Sequence, residues 1–205
     1  MSKVKVFEGR KVKRIIASEM ITLDGYFAGQ DGEIDWFFWN EEMAQSAIDL
    51  ISTADTLLFG RVTYELMASY WPSASPPTED PIIIDKMNNL PKIVFSRALK
   101  KVEWGKWNNV RLVKEITSEE ILKMKKQPGK NMVIYGSGSI VSAFMNLGLI
   151  DEYYLFVNPV VLGRGKSLFK DLNDRHKMKL IRTKAFSNGV VLLHYQYDLK
   201  EAIKA

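Results

Sequence analysis

The chain has 205 residues, of which 46% are hydrophobic, and carries a net charge of +5. One domain of this length buries about 70% of its unfolded surface, so we expect a single domain over residues 1–205, with residues 1–11 as a short N-terminal extension. The absence of cysteine excludes disulfides, thiolate metal sites and cysteine nucleophiles, and it favours a cytoplasmic location.

Strand and helix patterns alternate through the first half of the chain. The first predicted strand is apolar on both faces, as in the middle of a parallel sheet, and Asp24-Gly25 ends it as a turn. Trp36-Phe37-Phe38-Trp39 is predicted to fill the core, the alternative being the wall of a ligand pocket. The predicted elements are strand 12–23, helix 41–51, strand 56–59, helix 60–69, helix 82–89 and strand 91–95.

The second half continues this alternation and then changes to antiparallel strands. Asn188-Gly189 lies between two alternating runs, which is a strong hairpin signal. The whole order predicts an α/β sandwich with a mostly parallel mixed sheet and a C-terminal antiparallel hairpin. The predicted elements are strand 110–113, helix 118–126, strand 132–135, a helix opening near residue 139, strand 151–161, and strands 178–186 and 190–197.

Neither a membrane nor nucleic acid is expected as a partner. No apolar run is long enough to cross a membrane, and the lysines are too dispersed for a nucleic-acid patch. The two histidines, His176 and His194, lack a partner at ligand spacing, so each is predicted to be structural or exposed and no metal site is expected. A modest positive field favours an anionic small ligand.

The stretch Gly136-Ser137-Gly138-Ser139 joins a buried strand to a helix. Glycines let the backbone turn sharply and approach a ligand, and the first helical turn offers free N–H groups at the positive end of a dipole. Such a junction is typical of a phosphate site, although a tight turn without a ligand is an equal alternative. Two further strand ends carry similar groups, Gly60-Arg61-Val62-Thr63 and Ser96-Arg97.

The order of these motifs resembles the dihydrofolate reductase superfamily, and within it the reductase domain of the riboflavin-biosynthesis deaminase–reductase. The resemblance covers nearly the whole chain. It rests on Thr22-Leu23-Asp24-Gly25-Tyr26-Phe27-Ala28, on the Gly-Arg-x-Thr-Tyr helix start at 60–64, on the glycine turn at 136–139, on Leu-Ile-Asp-Glu at 149–152 and on the Pro-Val-Val-Leu-Gly turn at 159–163.

The resemblance implies that the cofactor is NADPH. The adenine-side phosphates are expected at the second and third strand ends, where two arginines suit a 2′-phosphate through forked, charge-assisted bonds. The glycine turn is expected to hold the pyrophosphate, and the first strand to border the nicotinamide. The implied cofactor residues are Gly60, Arg61, Thr63, Ser96 and Arg97, then Gly136, Ser137, Gly138, Ser139 and Ile140, and finally Ala17 and Ser18.

The expected activity is NADPH-dependent reduction of a small heterocycle, a pteridine or a pyrimidine. Asp24 is the first candidate for orienting the substrate or delivering a proton, provided that an aromatic pocket raises its pKa, and Glu41 is the second. Asp24 is equally well explained as a turn residue. The alternatives are a nucleotide-binding module without turnover and a flavin-binding reductase. A homodimer is expected from the resemblance and from the apolar late strands.

Overall fold

The computed structural model describes residues 12–197, so the predicted N-terminal extension lies outside the described residues. These residues form ten strands and five α-helices, with a short 3₁₀ helix after the second helix. The strands are β1 (Ile15–Thr22), β2 (Tyr26–Ala28), β3 (Ala54–Gly60), β4 (Lys92–Phe95), β5 (Val110–Val113), β6 (Asn131–Tyr135), β7 (Glu152–Asn158), β8 (Lys166–Ser167), β9 (Met178–Ala185) and β10 (Val191–Tyr197). The helices are α1 (Glu41–Ser52), α2 (Arg61–Tyr70), α3 (Pro81–Asn89), α4 (Ser118–Lys125) and α5 (Gly138–Asn146).

Eight strands form one twisted sheet in the order β5-β4-β3-β6-β1-β7-β10-β9. The pairs from β5 to β7 are parallel, whereas β10 pairs antiparallel with both β7 and β9. The predicted mostly parallel mixed sheet with its C-terminal antiparallel hairpin is therefore confirmed. None of the helices within residues 12–197 is long and apolar enough to cross a membrane.

Helices cover both faces of this sheet. On one face, α1 to α3 bury a cluster that includes Leu57, Phe59 and Trp104. On the other face, α4 and α5 bury a cluster that includes Ile134 and Phe144. Strands between two helical layers need apolar residues on both faces, which explains the continuous apolar runs in the central strands.

The chain changes direction at the carboxyl ends of two neighbouring strands. After β3 the chain enters α2 on one face of the sheet, and after β6 it enters α5 on the other. The two connections leave a crevice between them, and ligands of open α/β sheets bind in such a crevice. The sheet topology thus places the two strand-to-glycine-to-helix junctions side by side.

Two features differ from the sequence-based expectations. β2 lies in a stretch expected to be loop, because its partner β8 is far along the chain and a three-residue strand carries little periodicity. The aromatic segment 36–39 is not core: Trp36 and Phe37 are half-buried, and Phe38 and Trp39 are exposed. Asn158 holds this segment on the surface by accepting a hydrogen bond from the Phe38 N–H at 2.9 Å.

Candidate functional site

A single hydroxyl group connects the two junctions of the crevice. The Gly60 N–H donates to Ser137 Oγ at 2.8 Å, and Ser137 Oγ donates to Thr63 Oγ1 at 2.7 Å. Ser137 reaches both partners because its backbone is left-handed, with φ of 67°. These three groups, each expected to contact phosphate, are therefore engaged with one another.

Two glycines of the junctions permit this close approach. A Cβ on Gly60 would lie 2.9 Å from Ile140 Cγ1 and 3.0 Å from Ser137 Oγ. A Cβ on Gly136 would lie 2.9 Å from Thr63 Oγ1, and its φ of 58° also favours glycine. Both glycines are needed for the packing of the crevice walls, whether or not a ligand binds.

The helices that start at the crevice differ from the others at their N-termini. In α1, α3 and α4, the side chains of Asn40, Asp80 and Thr117 accept a hydrogen bond from a first-turn N–H. Within residues 12–197, α2 and α5 have no such side-chain cap. Uncapped first-turn N–H groups need another acceptor, so these two helix N-termini are available to an anion.

Both predicted arginines follow strands that end at the same edge of the sheet. Gly60 and Phe95 are register partners on β3 and β4, and Arg61 and Arg97 follow them by one and two residues. Both arginines are exposed. Arg61 Nη1 lies 2.8 Å from Glu65 Oε2, an exposed pair one helical turn apart that a phosphate can displace. Ser96 Oγ accepts a hydrogen bond from the Leu99 N–H at 3.2 Å, which fixes the turn that presents Arg97.

Phe27 covers the glycine turn, a contact that the sequence did not reveal. Gly138 is the first residue of α5 and is buried, and a Cβ there would lie 2.5 Å from Phe27 Cε1. Ser139 is exposed at the same turn, whereas Ile140 is buried in the core. The space next to Gly138 is thus filled by an aromatic ring.

Asp24 does not have the raised pKa that its expected proton-relay role required. Its carboxylate is exposed and accepts hydrogen bonds from Thr22 Oγ1 at 2.6 Å, from the Gly163 N–H at 2.7 Å and from the Leu162 N–H at 3.3 Å. These bonds, above all the one from Thr22, lower the pKa of Asp24. Asp24 fastens the turn after β1 to the turn after β7, as a structural turn residue does.

The remaining predicted residues lie on or near this edge. Glu41 is exposed at the start of α1, and its neighbour Glu42 accepts a hydrogen bond from the Ser187 N–H at 3.0 Å. Ala17 and Ser18 are both buried in β1, and alternation along the strand directs their side chains to opposite faces. Ala17 packs in the cluster under α5, so its side chain belongs to the core.

Glu19 is a titratable group of this region that the sequence analysis missed. Only 2% of its surface is exposed, and burial raises its pKa well above the usual value. A glutamate in the middle of an otherwise apolar strand was the available signal.

The crevice between two opposed helix layers, together with an antiparallel strand pair at the C-terminal side of the sheet, defines a dihydrofolate reductase-like fold. A dihydrofolate reductase from Enterococcus faecalis, solved as a complex with NADP(H), superposes with a TM-score of 0.58 at 16% identity, covering 90% of this chain and 96% of that one. The chain belongs to the RibD C-terminal domain family, whose model matches residues 13–192. The resemblance inferred from the sequence is confirmed.

Two further proteins are similar over nearly their full length. The uncharacterized protein YyaP of Bacillus subtilis (strain 168) is 36% identical over 188 residues, which is 92% of this chain and 97% of YyaP. The crystal structure of a candidate riboflavin biosynthesis protein from Shewanella sp. PV-4 superposes with a TM-score of 0.73 at 23% identity, covering 90% of this chain and 99% of that one.

Proposed function

We propose that this protein is an NADPH-dependent reductase of a small heterocycle of the pteridine or pyrimidine type. One observation carries the proposal: the two helices that start at the crevice lack side-chain caps within residues 12–197, while the other three helices have them. Uncapped N-termini at a sheet switch point form an anion site for a dinucleotide. Membership of the RibD C-terminal domain family supports a reductase over other dinucleotide-binding proteins.

The residues at the crevice fit the phosphates of NADPH. The first-turn N–H groups of α5, at Gly138 and Ser139, would hold the pyrophosphate, while Arg61 and Arg97 would hold the 2′-phosphate. NADPH supplies a hydride when bound. The Gly60 N–H and the Ser137 hydroxyl are already paired, so their role is to hold the two junctions together. The positive net charge favours this anionic ligand.

The proton of the reduction has no assigned donor among the predicted residues. Asp24 accepts three hydrogen bonds and has a lowered pKa. Its proposed role is therefore to stabilise the turns at the site and not to deliver the proton. Glu41 remains available because it is exposed at the start of α1. A cytoplasmic location, expected from the absence of cysteine, would give access to NADPH.

Calorimetric titration with NADPH and NADH, followed by turnover with a panel of pteridines and pyrimidinediones, tests the proposal. We expect preference for NADPH, and its oxidation by at least one compound of the panel. Binding without oxidation by any of them would favour a nucleotide-binding module. A yellow purified protein would favour a flavin-binding reductase, and no binding of either nucleotide would refute the proposal.

We also propose that the protein is a homodimer formed through β9. This eight-residue strand ends the sheet and is exposed along almost its whole length. Leu180 and Ile181 are 48% and 44% exposed, and a long exposed edge strand with apolar residues favours association. In contrast, the apolar residues of 153–156 and 190–193 that suggested the dimer are mostly buried within the chain itself. Light scattering should give twice 23.5 kDa for the parent and the monomer mass for Ile181→Lys.

A further inference from the structure

Glu19 lies beside the glycine turn of the crevice. Its neighbour Ser18 is paired with Tyr135, the last residue of β6, so Glu19 lies level with the start of the turn at Gly136. Ala17 and Ile21, two residues before and after it, both pack in the cluster under α5. Alternation along β1 therefore directs the Glu19 side chain to the face on which α5 starts.

The carboxyl group of Glu19 is enclosed without a full set of partners. Its Oε1 atom is buried and has no hydrogen-bond partner within the described part of the chain. Its register partner on β7 is Leu155, which belongs to the same apolar cluster. Desolvation by burial raises its pKa, and no cation within residues 12–197 opposes that shift. When protonated, the carboxyl group of Glu19 presents one O–H donor and one acceptor side by side.

The Phe27 ring covers this part of the crevice, and the strand that carries it has few pairing partners. Phe27, whose ring lies against Gly138, packs on the same cluster and is only half-buried. It belongs to β2, which within residues 12–197 pairs with the two-residue strand β8 and with no other strand. Because both strands are very short, we expect that a ligand can displace Phe27 and open the crevice beside Gly138, level with Glu19.

We propose that the Glu19 side chain binds the amide function of a ligand in the crevice, either the carboxamide of nicotinamide or the lactam of a pteridine or pyrimidine ring. A neutral carboxylic acid and an amide each present one donor beside one acceptor, so they form two complementary hydrogen bonds. A buried carboxyl group without a hydrogen-bond partner destabilises the folded protein, and the ligand supplies the missing partner. This inference rests on the proposed reductase function and adds a residue to it.

The test compares Glu19→Met with Glu19→Gln, because Met keeps the unbranched shape without hydrogen bonding and Gln keeps a donor and an acceptor. Calorimetry measures binding of NADPH and of adenosine 2′,5′-bisphosphate, which carries phosphates but no nicotinamide. If the carboxamide is the partner, Glu19→Met should weaken NADPH binding about tenfold and leave the bisphosphate unchanged. Glu19→Gln should stay within about threefold of the parent for both ligands.

A second arm identifies the alternative source of the amide. If Glu19→Met binds NADPH normally but raises the KM of the best heterocycle about tenfold, the lactam is the partner. In the unmodified protein, the 3-acetylpyridine analogue of the cofactor, which lacks the amide donor, should bind more weakly than NADPH only in the carboxamide case. This comparison needs no protein variant and is independent of folding.

Three outcomes overturn the inference. Unchanged affinity for NADPH and unchanged KM in Glu19→Met would show that Glu19 contacts no ligand amide, and a rise in Tm of about 2–4 °C would then mark it as a merely tolerated acid. Equal weakening of NADPH and the bisphosphate would indicate a structural role. If the parent binds neither ligand, the proposed function itself fails, and the role of Glu19 fails with it.

Discussion

Arg61 provides the sharpest test of the cofactor assignment, because it must give up its ion pair with Glu65 to bind the 2′-phosphate of NADPH. A hydrogen bond from its guanidinium to a 2′-phosphate contributes about 1.5–3 kcal/mol. The pair with Glu65 that it gives up is exposed on both sides and contributes only about 0.3–0.5 kcal/mol. Arg61→Ala should therefore weaken NADPH binding about tenfold or more and leave NADH almost unchanged.

Because Glu65 competes with the 2′-phosphate for Arg61, removing its charge should strengthen NADPH binding. Glu65→Gln should tighten NADPH binding about twofold, because the arginine no longer has to leave an ion pair. This gain should vanish in the Arg61→Ala background, which a double-mutant cycle measures by calorimetry. Arg97→Ala should behave as Arg61→Ala does.

Arg111 is the matched control, since it is an exposed arginine that pairs with Glu120 near the start of β5, at the opposite edge of the sheet. Arg111→Ala should leave both affinities unchanged. Equal losses of NADPH and NADH in Arg61→Ala would refute the 2′-phosphate assignment. A gain from Glu65→Gln that persists without Arg61 would refute the exchange of partners.

Three further substitutions test other parts of the structure. Asp24→Asn should lower the Tm by loosening the turn that it fastens at Gly163, and should leave the pH profile of turnover unchanged; loss of an acidic limb from that profile would restore its proton-relay role. Gly138→Val should fold, as judged by circular dichroism, but abolish NADPH binding, because the branched side chain would occupy the space where the pyrophosphate approaches the backbone and from which the Phe27 ring must move. Normal binding would make the turn purely structural. Lys92 is buried, and burial lowers its pKa from 10.5 to about 7. Above pH 7 the unfolded chain therefore binds more protons than the folded chain. The free energy of unfolding, measured by urea denaturation, should rise by up to about 1.4 kcal/mol per pH unit toward pH 10.5. Lys92→Met should remove that rise. Parallel pH curves for parent and variant would show that Lys92 stays charged.

The sequence by itself determined most of the element order. Helix α1 begins at Glu41 and α4 at Ser118, as the helical periodicity of their residues predicts, and the Asn188-Gly189 signal correctly predicts the β9–β10 hairpin. These features are local, since a cap or a two-residue turn depends on neighbours within a few positions. The ordered motifs also sufficed to identify the family, because each motif occupies a fixed place between elements.

Only the tertiary structure decided how the groups of the candidate site are used. The sequence left a proton relay and a turn residue as equal alternatives for Asp24, and its hydrogen bonds to the N–H groups of residues 162 and 163, far along the chain, favour the turn residue. Glu19 looked like part of a buried strand, and its unpaired oxygen depends on what β7 and α5 place around it. The ring of Phe27 against Gly138 joins residues more than a hundred positions apart. Hydrogen bonding, burial and pKa depend on the groups that surround a side chain in space, and sequence periodicity reports only which face of a strand or helix it occupies.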